Sequence, residues 1–357
     1  MSVSSRFRVI DTGLRNGSAN VAFDQAMIDL HAAGEIPDTI RFIRFPATVL
    51  IGRHQALGHE VDVDYCTAHD VDIARRITGG GAIYFDPKQL GWALVFNRAT
   101  LGITSLADLA REICEAAASG LSRFGIEARY RPRNDIEVDG RKLSGTGGFF
   151  DGDTLFYQGT VLVDLDYEDM TSALRVPAAK LAKHGIASPA ARVVTLRELL
   201  GDNTPSMDAL KQALLDGFRD HFRIETFTAD ISAIEEATAA RIHTEETGTD
   251  EFIRAIDDPT TASDIRSGTH TSGGGSITAH LRLEGSRQDR IREILFTGDF
   301  FVTPPRVIMD LESVLRGVLL RDCAAEIAAF LERTNVGTLS VAASDFAAAI
   351  TAAVARA

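Results

Sequence analysis

The stretch Arg75-Arg76-Ile77-Thr78-Gly79-Gly80-Gly81, continued by Ala82-Ile83-Tyr84-Phe85-Asp86, carries the strongest pattern in this chain. It places two cations beside three glycines, directly before an apolar segment. Glycines let a ligand approach backbone N–H groups, and two guanidinium groups can neutralise a triphosphate or an acyl phosphate. The stretch therefore predicts a phosphate-binding loop at the start of a strand. The alternative is a surface turn between strands with two solvated arginines.

A second informative segment runs from Arg133 to Gly148. Its Asp139-Gly140 pair predicts a tight hairpin turn, after which Lys142 begins the second strand. A lysine on a rigid strand can bridge a carboxylate and a phosphate as a compact point charge, and the glycine-rich run behind it leaves room for such a ligand. The alternative is an ordinary solvated lysine.

These two segments resemble the lipoate–protein ligase family, and the resemblance extends over most of the chain. The matching motifs, in chain order, are Val49-Leu50-Ile51-Gly52-Arg53-His54-Gln55, Glu60-Val61-Asp62, the arginine–glycine loop with Asp86, Asn134-Asp135-Ile136, Gly140-Arg141-Lys142-Leu143-Ser144-Gly145, Gln158-Gly159-Thr160-Val161-Leu162-Val163, Lys180, Ser188 and Arg192-Val193. The resemblance implies an α+β fold: a biotin/lipoate ligase-like catalytic domain with mixed sheets, related to class II synthetases, and a small α+β accessory domain.

The resemblance also implies an activity. Enzymes of this family activate lipoate with ATP to lipoyl-AMP, release pyrophosphate, and pass the lipoyl group to a lysine of a lipoyl-carrier protein. The expected ligands are therefore lipoate, ATP and Mg²⁺, and the expected partner is a carrier domain with an acceptor lysine.

Site residues are transferred from the family position by position. Lys142 matches the family's essential lysine, which would hold the substrate carboxylate and the α-phosphate as negative charge builds on them. Asn134 and Asp135 match the pair near the phosphates and Mg²⁺, a role for oxygen ligands. The positions that match substrate- and nucleotide-binding residues are Arg53, Arg75, Arg76, Thr78, Gly79, Gly80, Gly81, Asp86, Asn134, Asp135, Ser144, Gly145, Gly159, Thr160 and Lys180.

Several positions depart from the family pattern. Phe85-Asp86 stands where His-Asp is usual, and Thr146-Gly147-Gly148 stands where Ser-Ala-Gln is frequent. Gln158 replaces a common histidine, and in the C-terminal part Ser276 replaces a frequent lysine. These departures leave the choice between lipoate and octanoate open.

Two other functions remain possible at this point. Related octanoyltransferases that need no ATP share the Gly-Arg-Lys strand, and one branch carries a nucleophilic cysteine shortly before the lysine; residues 128–139 contain none here. The three cysteines, Cys66, Cys114 and Cys323, lie in apolar or helix-like patterns and are predicted to be buried. A non-catalytic protein of the same fold that binds an acyl-adenylate or a carrier is the third hypothesis.

The C-terminal third resembles the accessory domain of lipoate ligases. A strand is predicted to begin in the segment 268–277, another to end in 291–301, and a helix to cover 304–319. Gly298-Asp299-Phe300-Phe301 is the most specific feature, and its two aromatic residues are expected in a core. Polar, turn-prone residues from 235 to 267 predict the boundary, with domains at 1–245 and 246–357.

Composition bounds the remaining possibilities. The 357 residues are 45% hydrophobic and carry a formal net charge of −13, which disfavours nucleic-acid binding. No membrane span, signal peptide or zinc motif is evident, so a cytoplasmic protein is expected. Periodicity predicts helices near 20–33, 105–124 and 205–222, and strands near 40–44, 48–51, 83–84, 92–97, 136–138, 142–145 and 154–163.

Overall fold

The computed structural model describes residues 5–103, 105–175, 189–261, 264–334, 336–338 and 341–355. The strands are β1 (Arg6–Leu14), β2 (Thr39–Arg44), β3 (Thr48–Ile51), β4 (Asp72–Arg75), β5 (Ile83–Phe85), β6 (Leu90–Asn97), β7 (Arg129–Arg131), β8 (Asp135–Val138), β9 (Arg141–Asp151), β10 (Thr154–Val161), β11 (Glu225–Thr228), β12 (Arg266–Ser272), β13 (Gly275–Glu284), β14 (Arg290–Gly298), β15 (Val302–Thr303) and β16 (Gly337–Thr338). The α-helices are Gly17–Ala32, Leu57–Glu60, Val63–Ala68, Leu106–Ser122, Tyr167–Ala173, Leu196–Leu200, Met207–Phe222, Ala233–Ile242, Asp250–Ile253, Val307–Leu315, Cys323–Arg333 and Ala343–Ala355.

An eight-stranded sheet forms the centre of the molecule, in the order β11-β1-β2-β6-β10-β9-β8-β7. The pairs of β1 with β11 and with β2 are parallel, and the other pairs are antiparallel. A second sheet, β4-β3-β5, carries the arginine–glycine loop between β4 and β5. The predicted α+β fold with mixed, largely antiparallel sheets is confirmed.

Each face of the large sheet is covered by its own hydrophobic core. On one face, Trp92, Leu94 and Phe96 pack with residues of the helices Leu106–Ser122 and Met207–Phe222. The helix Gly17–Ala32 packs with the other face, through residues such as Phe23 and Met27. Cores on both faces are expected when a central sheet is layered between helices.

The three long N-terminal helices lie where the sequence predicts them, and their boundaries are fixed by caps. The Asn16 side chain accepts a hydrogen bond from the N–H of Ala19, so the first helix starts at Gly17, three residues before the predicted start. Ser105 and Ser206 cap the other two helices in the same way. Such caps satisfy N–H groups that have no partner within the helix.

The hairpin predicted around Asp139-Gly140 is confirmed. Strand β8 pairs with β9 through Val138 opposite Arg141 and Glu137 opposite Lys142. Asp139 and Gly140 have φ angles of 51° and 77°, the left-handed pair that a two-residue turn of this type requires.

The C-terminal part has its own core, formed by buried residues between Ile277 and Ala353. Strand β13 begins within the segment 268–277, and β14 ends within 291–301, as predicted. The hairpin between β12 and β13 was not predicted: Gly273 and Gly274 form its turn, since glycines pack poorly within a strand. The helix predicted at 304–319 covers only Val307–Leu315, because β15 precedes it and Gly317 has a φ of 79°.

The predicted division at 245/246 stays a prediction. Residues just beyond it bind the N-terminal part: Phe252 belongs to the core around the first helix, and the N–H groups of Leu57 and Gly58 donate to the carbonyls of Ile256 and Asp257. None of the described helices is long and apolar enough to cross a membrane.

Candidate active site

A cavity of about 380 Å³ lies where the large sheet, the arginine–glycine loop and the C-terminal part meet. Its floor is a patch of small residues on one face of the large sheet. Gly147 on β9 is paired with Gln158 on β10, and Thr160 on β10 is paired with Gly91 on β6. Because successive strand residues face opposite sides, Gly145 lies on the same face as Gly147. Because these glycines have no side chains, the space above this face of the sheet remains open as the cavity.

The sequence-predicted residues divide between the cavity wall and its surroundings. Those that line the cavity are Arg76, Thr78, Gly79, Gly80, Gly81, Asn134, Asp135, Lys142, Gly145, Gly159 and Thr160. Arg53, Arg75, Asp86 and Ser144 lie outside this wall, and Lys180 and Ser188 lie outside the described residues.

Lys142 points into the cavity from the start of β9. Its Nζ lies 2.9 Å from Oδ1 of Asp135, and its side chain is 31% exposed. The ammonium sits over Gly145, since a Cβ built on that glycine would lie 2.4 Å from Nζ. Because Gly145 has no side chain, the space above it is free for the Lys142 ammonium.

Asp135 holds Lys142 through a network of charges. Its second oxygen accepts from Nη2 of Arg131 at 2.6 Å. Burial alone would raise the pKa of the Asp135 carboxyl, but the Lys142 ammonium and the Arg131 guanidinium outweigh it, so this pKa lies below its usual value. The carboxylate therefore stays charged at neutral pH.

The predicted magnesium role does not fit this arrangement. Both Asp135 oxygens bind cationic side chains, and the Asn134 amide nitrogen donates to the Thr146 carbonyl at 2.5 Å. A metal ion at Asp135 would have to displace Lys142 or Arg131.

Arg75 is a buried structural residue in this fold, contrary to the expectation of a phosphate contact. Its guanidinium is 0% exposed and donates to the carbonyls of Gln55 and Ile253 at 2.7 and 2.9 Å, and to those of Gly52 and Ile256 at 3.1 Å. Burial lowers its pKa to about 10, which leaves it protonated at neutral pH. These bonds join the loop after β3 to residues 252–256.

Arg76 lines the cavity, but its N–H groups donate to backbone carbonyls of β3 and of the glycine loop. Nη1 donates to the Leu50 carbonyl at 2.8 Å, and Nη2 donates to the carbonyls of Gly81 and Gly79 at 2.9 and 3.2 Å. At 7% exposure it is not solvated, and neither is Arg75, so the alternative of two solvated arginines is wrong. Arg76 fixes the shape of the loop from within.

The glycines of the loop are required by backbone contacts. Gly80 has a φ of 96°, and its N–H donates to the Phe300 carbonyl at 3.2 Å. A Cβ on Gly79 would lie 2.2 Å from that same oxygen. Thr78 accepts from the Gln158 amide at 3.1 Å, which ties the loop to the cavity floor.

The predicted residues outside the wall have structural contacts. The Arg53 guanidinium lies 4.7 Å from the centre of the Phe252 ring, and Asp86 accepts from the N–H of Lys88 at 2.7 Å. The buried Ser144 hydroxyl has no hydrogen-bond partner among the described residues.

Arg131 and Phe301 are among the cavity residues that the sequence analysis did not assign to the site. Arg131 lies opposite Asp135 in the β7–β8 hairpin, a spacing that could have revealed the pair. Phe300 and Phe301 were both expected in a core. Phe300 is fully buried and stacks on His54 at 5.0 Å. Phe301 is partly buried: it packs against the core that contains Trp92, and it also lines the cavity.

The cysteines are buried, as predicted, and none lines the cavity. Cys114 comes nearest to the lysine strand, with Sγ 3.3 Å from the Thr146 hydroxyl. Burial raises the pKa of its thiol to about 11, so the thiolate is disfavoured at neutral pH. This environment does not suit a nucleophile.

One group of potential metal ligands occurs in the described part of the chain, at Glu112, Glu115 and His221. It was not anticipated from the sequence. The ring Nε2 of His221 lies 2.7 Å from a Glu112 oxygen, and this hydrogen bond accounts for their proximity.

Comparison with known proteins identifies the family. Residues 16–219 match the model of the lipoyl protein ligase A/B catalytic domain, which is more than half of the chain. The chain belongs to this family. It is therefore an enzyme of the lipoate ligase and transferase group, and its fold is the lipoate ligase fold that the sequence predicted.

The relatives of this chain include proteins named octanoyltransferase and proteins named lipoate-protein ligase. Octanoyltransferase LipM of Kyrpidia tusciae is 27% identical over 260 residues, which cover 66% of this chain and 94% of that protein. Lipoate-protein ligase A subunit 1 of Thermoplasma acidophilum is 28% identical over 247 residues, which cover 66% of this chain and 92% of that protein. The structure of P. falciparum LipL1 in complex with lipoate covers 93% of this chain and 95% of its own, with a TM-score of 0.71 and 18% identity, a likeness of fold alone.

Proposed function

We propose that this protein is an ATP-dependent lipoate–protein ligase, which activates lipoate to lipoyl-AMP and transfers the lipoyl group to a lysine of a lipoyl-carrier protein. The observation that carries the proposal is a lysine ammonium held in a cavity without a thiol. None of the chain's three cysteines lines the cavity. A substrate carboxylate can attack ATP itself, so this route needs no nucleophile from the enzyme.

In the first step, a carboxylate oxygen of lipoate attacks the α-phosphorus of ATP. The bond from that phosphorus to the oxygen bridging to the β-phosphate breaks, and pyrophosphate leaves. The Lys142 ammonium has three donors, of which Asp135 takes one. The others can contact the carboxylate and the α-phosphate, where negative charge concentrates in the transition state.

In the second step, the neutral amine of the carrier lysine attacks the lipoyl carbonyl carbon. AMP leaves with the electrons of the broken bond, and the proton of the amine passes to solvent. Lys142 again neutralises the charge on the departing phosphate. Asp135 and Arg131 act as positioning residues, since they fix the lysine at the cavity wall.

The runner-up is an ATP-independent transferase that takes a lipoyl or octanoyl group from a carrier thioester. The relative named octanoyltransferase favours it. That relative aligns with 66% of this chain, however, whereas the lipoate-bound LipL1 structure also matches the fold of the C-terminal part. A ligase with a fused accessory domain accounts for the full length. A non-catalytic binding protein is disfavoured because Lys142, held by Asp135, lines the cavity.

The test uses the full chain and a purified lipoyl-carrier domain. With lipoate and MgATP, we expect the carrier to gain one lipoyl mass and one pyrophosphate to appear for each carrier modified. Two matched arms omit ATP or supply an octanoyl-carrier thioester in its place. Modification in the thioester arm alone, without pyrophosphate, would assign the protein to the transferases.

A further inference from the structure

Gly274, Gly275, Asp299 and Phe301 of the C-terminal part line the cavity, and Phe301 is the aromatic residue among them. Its ring fills space where two glycines lack side chains. A Cβ built on Gly147 would lie 2.4 Å from Cε1 of the ring, and a Cβ built on Gly80 would lie 2.6 Å from Cζ. The ring therefore lies between the large sheet and the glycine loop.

Gly80 and Gly147 are glycines for different structural reasons. Gly80 needs its left-handed backbone, with a φ of 96°. Gly147 lies within β9, opposite Gln158, in an extended conformation that any residue adopts. Its missing side chain is required by the ring of Phe301 and not by the backbone. The position is also one at which the sequence departs from the family's frequent Ser-Ala-Gln.

The place of the ring relative to Lys142 indicates what it contacts. Gly145, beneath the ammonium, and Gly147, beneath the ring, share one face of β9 and are about 7 Å apart. The charged partners of the lysine lie toward β7 and β8, and β8 begins with Asp135, opposite Gly145. The ring thus stands beyond the charged groups, at a distance that an acyl chain anchored at Lys142 can span.

We propose that Phe301 is a specificity-determining residue whose ring closes the acyl end of the cavity and limits the length of the fatty acyl chain that can bind. This rests on the proposed function, since it takes the Lys142 end as the site of the carboxylate. A phenyl ring packs against methylene groups without leaving polar atoms unpaired. The length limit is set across two parts of the chain, by a ring from one and a glycine from the other.

The test measures dissociation constants of octanoate, lipoate and dodecanoate by calorimetry, on the full chain and on Phe301→Ala. Each methylene brought into an apolar site is worth about fourfold in affinity. We expect the preference for octanoate over dodecanoate to fall by at least about tenfold in the variant. Phe301→Leu should shift the preference in the same direction by less, and it guards against a folding defect in Phe301→Ala.

A complementary pair of substitutions tests the contact itself. Gly147→Ala should weaken octanoate binding by at least about fivefold, and adding Phe301→Ala should restore it. Thr303→Val is the matched control: it removes the hydrogen bonds between Thr303 and the Phe150 backbone but leaves the ring in place, so its chain-length preference should equal that of the unaltered protein.

The outcomes separate this proposal from the proposed function. If the unaltered protein binds lipoate and Phe301→Ala keeps the same length preference, the length-limiting role of the ring is overturned while ligase activity can stand. If Phe301→Ala weakens ATP binding and leaves the acyl preference unchanged, the ring contacts the adenine, and its length-limiting role is again overturned. If the unaltered protein binds no lipoate, the proposed function fails first and this inference fails with it.

Discussion

Individual residues of one motif have different tasks in this protein. Arg75 and Arg76 are neighbours in the sequence, yet Arg75 joins the loop after β3 to residues 252–256 and Arg76 shapes the glycine loop. The sequence pattern predicted cations beside glycines, and this is what the structure contains. The atoms that Arg75 binds could not be predicted from the pattern, because two of its carbonyl partners lie 178 and 181 residues away in the sequence.

Lys142 is the residue on which the chemistry depends. Lys142→Ala should slow lipoyl-AMP formation by roughly a hundredfold or more, as expected when one preorganised electrostatic donor is lost, without unfolding the protein. Lys142→Arg should fail nearly as badly, since a planar guanidinium cannot take the place of a compact ammonium. Single-turnover assays of adenylate and carrier transfer provide the measurement. The control is Lys211→Ala, a lysine paired with Asp11 and Asp208 on the surface, and full activity of Lys142→Ala would refute the assignment.

Arg75 is predicted to affect stability. Arg75→Met leaves several buried carbonyls without a donor and should lower the free energy of unfolding by at least about 3 kcal/mol. Urea unfolding measures this, with Arg287→Met, a substitution of a 77% exposed side chain, as the control that should change it by less than about 0.5 kcal/mol. A variant with normal stability and greatly weakened ATP binding would instead make Arg75 a phosphate ligand.

At the scale of elements, features that depend on neighbouring residues were predicted from the sequence, whereas features that depend on contacts between distant segments were not. The Asp139-Gly140 turn was predicted from its residue types, and the structure confirms it. The hairpin at Gly273-Gly274 was missed because a glycine run also suits a ligand loop. The position of Phe301 depends on the way two parts of the chain meet, which periodicity along either part does not contain.

A partly buried carboxyl in the C-terminal part gives a pH prediction. Glu312 accepts from the N–H of Phe296 at 2.7 Å, and burial raises its pKa to about 7. The folded state thus binds this proton more tightly than the unfolded state, so the contribution to stability is complete below about pH 4.5 and is lost as the pH rises through 7.

Glu312→Gln keeps an acceptor for the Phe296 N–H and carries no charge. Relative to the unaltered protein, we expect its stability to gain roughly 2 kcal/mol between pH 5 and pH 7.5, measured by chemical denaturation at both pH values. Glu332→Gln, at an exposed position on the helix Cys323–Arg333, is the control. Parallel pH profiles for Glu312→Gln and the unaltered protein would rule out a partly buried, protonated Glu312.

For the whole molecule, the main feature is a cavity completed by two parts of the chain. The predicted domains were argued from a polar linker, and the N-terminal cores and the C-terminal core do have separate members. The contacts of residues 252–257 could not be predicted, because their carbonyls accept from the Arg75 side chain and from the N–H groups of Leu57 and Gly58, which are far away in the sequence. A truncated chain that keeps these contacts must therefore extend to about Thr260.

A chain that ends at Thr260 should fold, since its cores are retained, but should make little lipoyl-AMP from lipoate and ATP because the whole wall formed by Gly274, Gly275, Asp299 and Phe301 is lost. It should still transfer the lipoyl group from synthetic lipoyl-AMP to the carrier. A chain that ends at Ala240 also loses the carbonyls that bind Arg75 and should be less stable. Circular dichroism and both half-reactions check this, and undiminished ATP-dependent activity of the Thr260 chain would show that the C-terminal part is dispensable.

The most direct test of the whole account is isotope exchange between pyrophosphate and ATP, with no carrier present. A ligase that forms lipoyl-AMP reversibly should incorporate labelled pyrophosphate into ATP only when lipoate is added, and Cys114→Ser should exchange as fast as the unaltered protein. Lys142→Ala should abolish the exchange. If lipoate supports no exchange while an octanoyl-carrier thioester still modifies the carrier, the adenylate route is contradicted and the protein is a transferase.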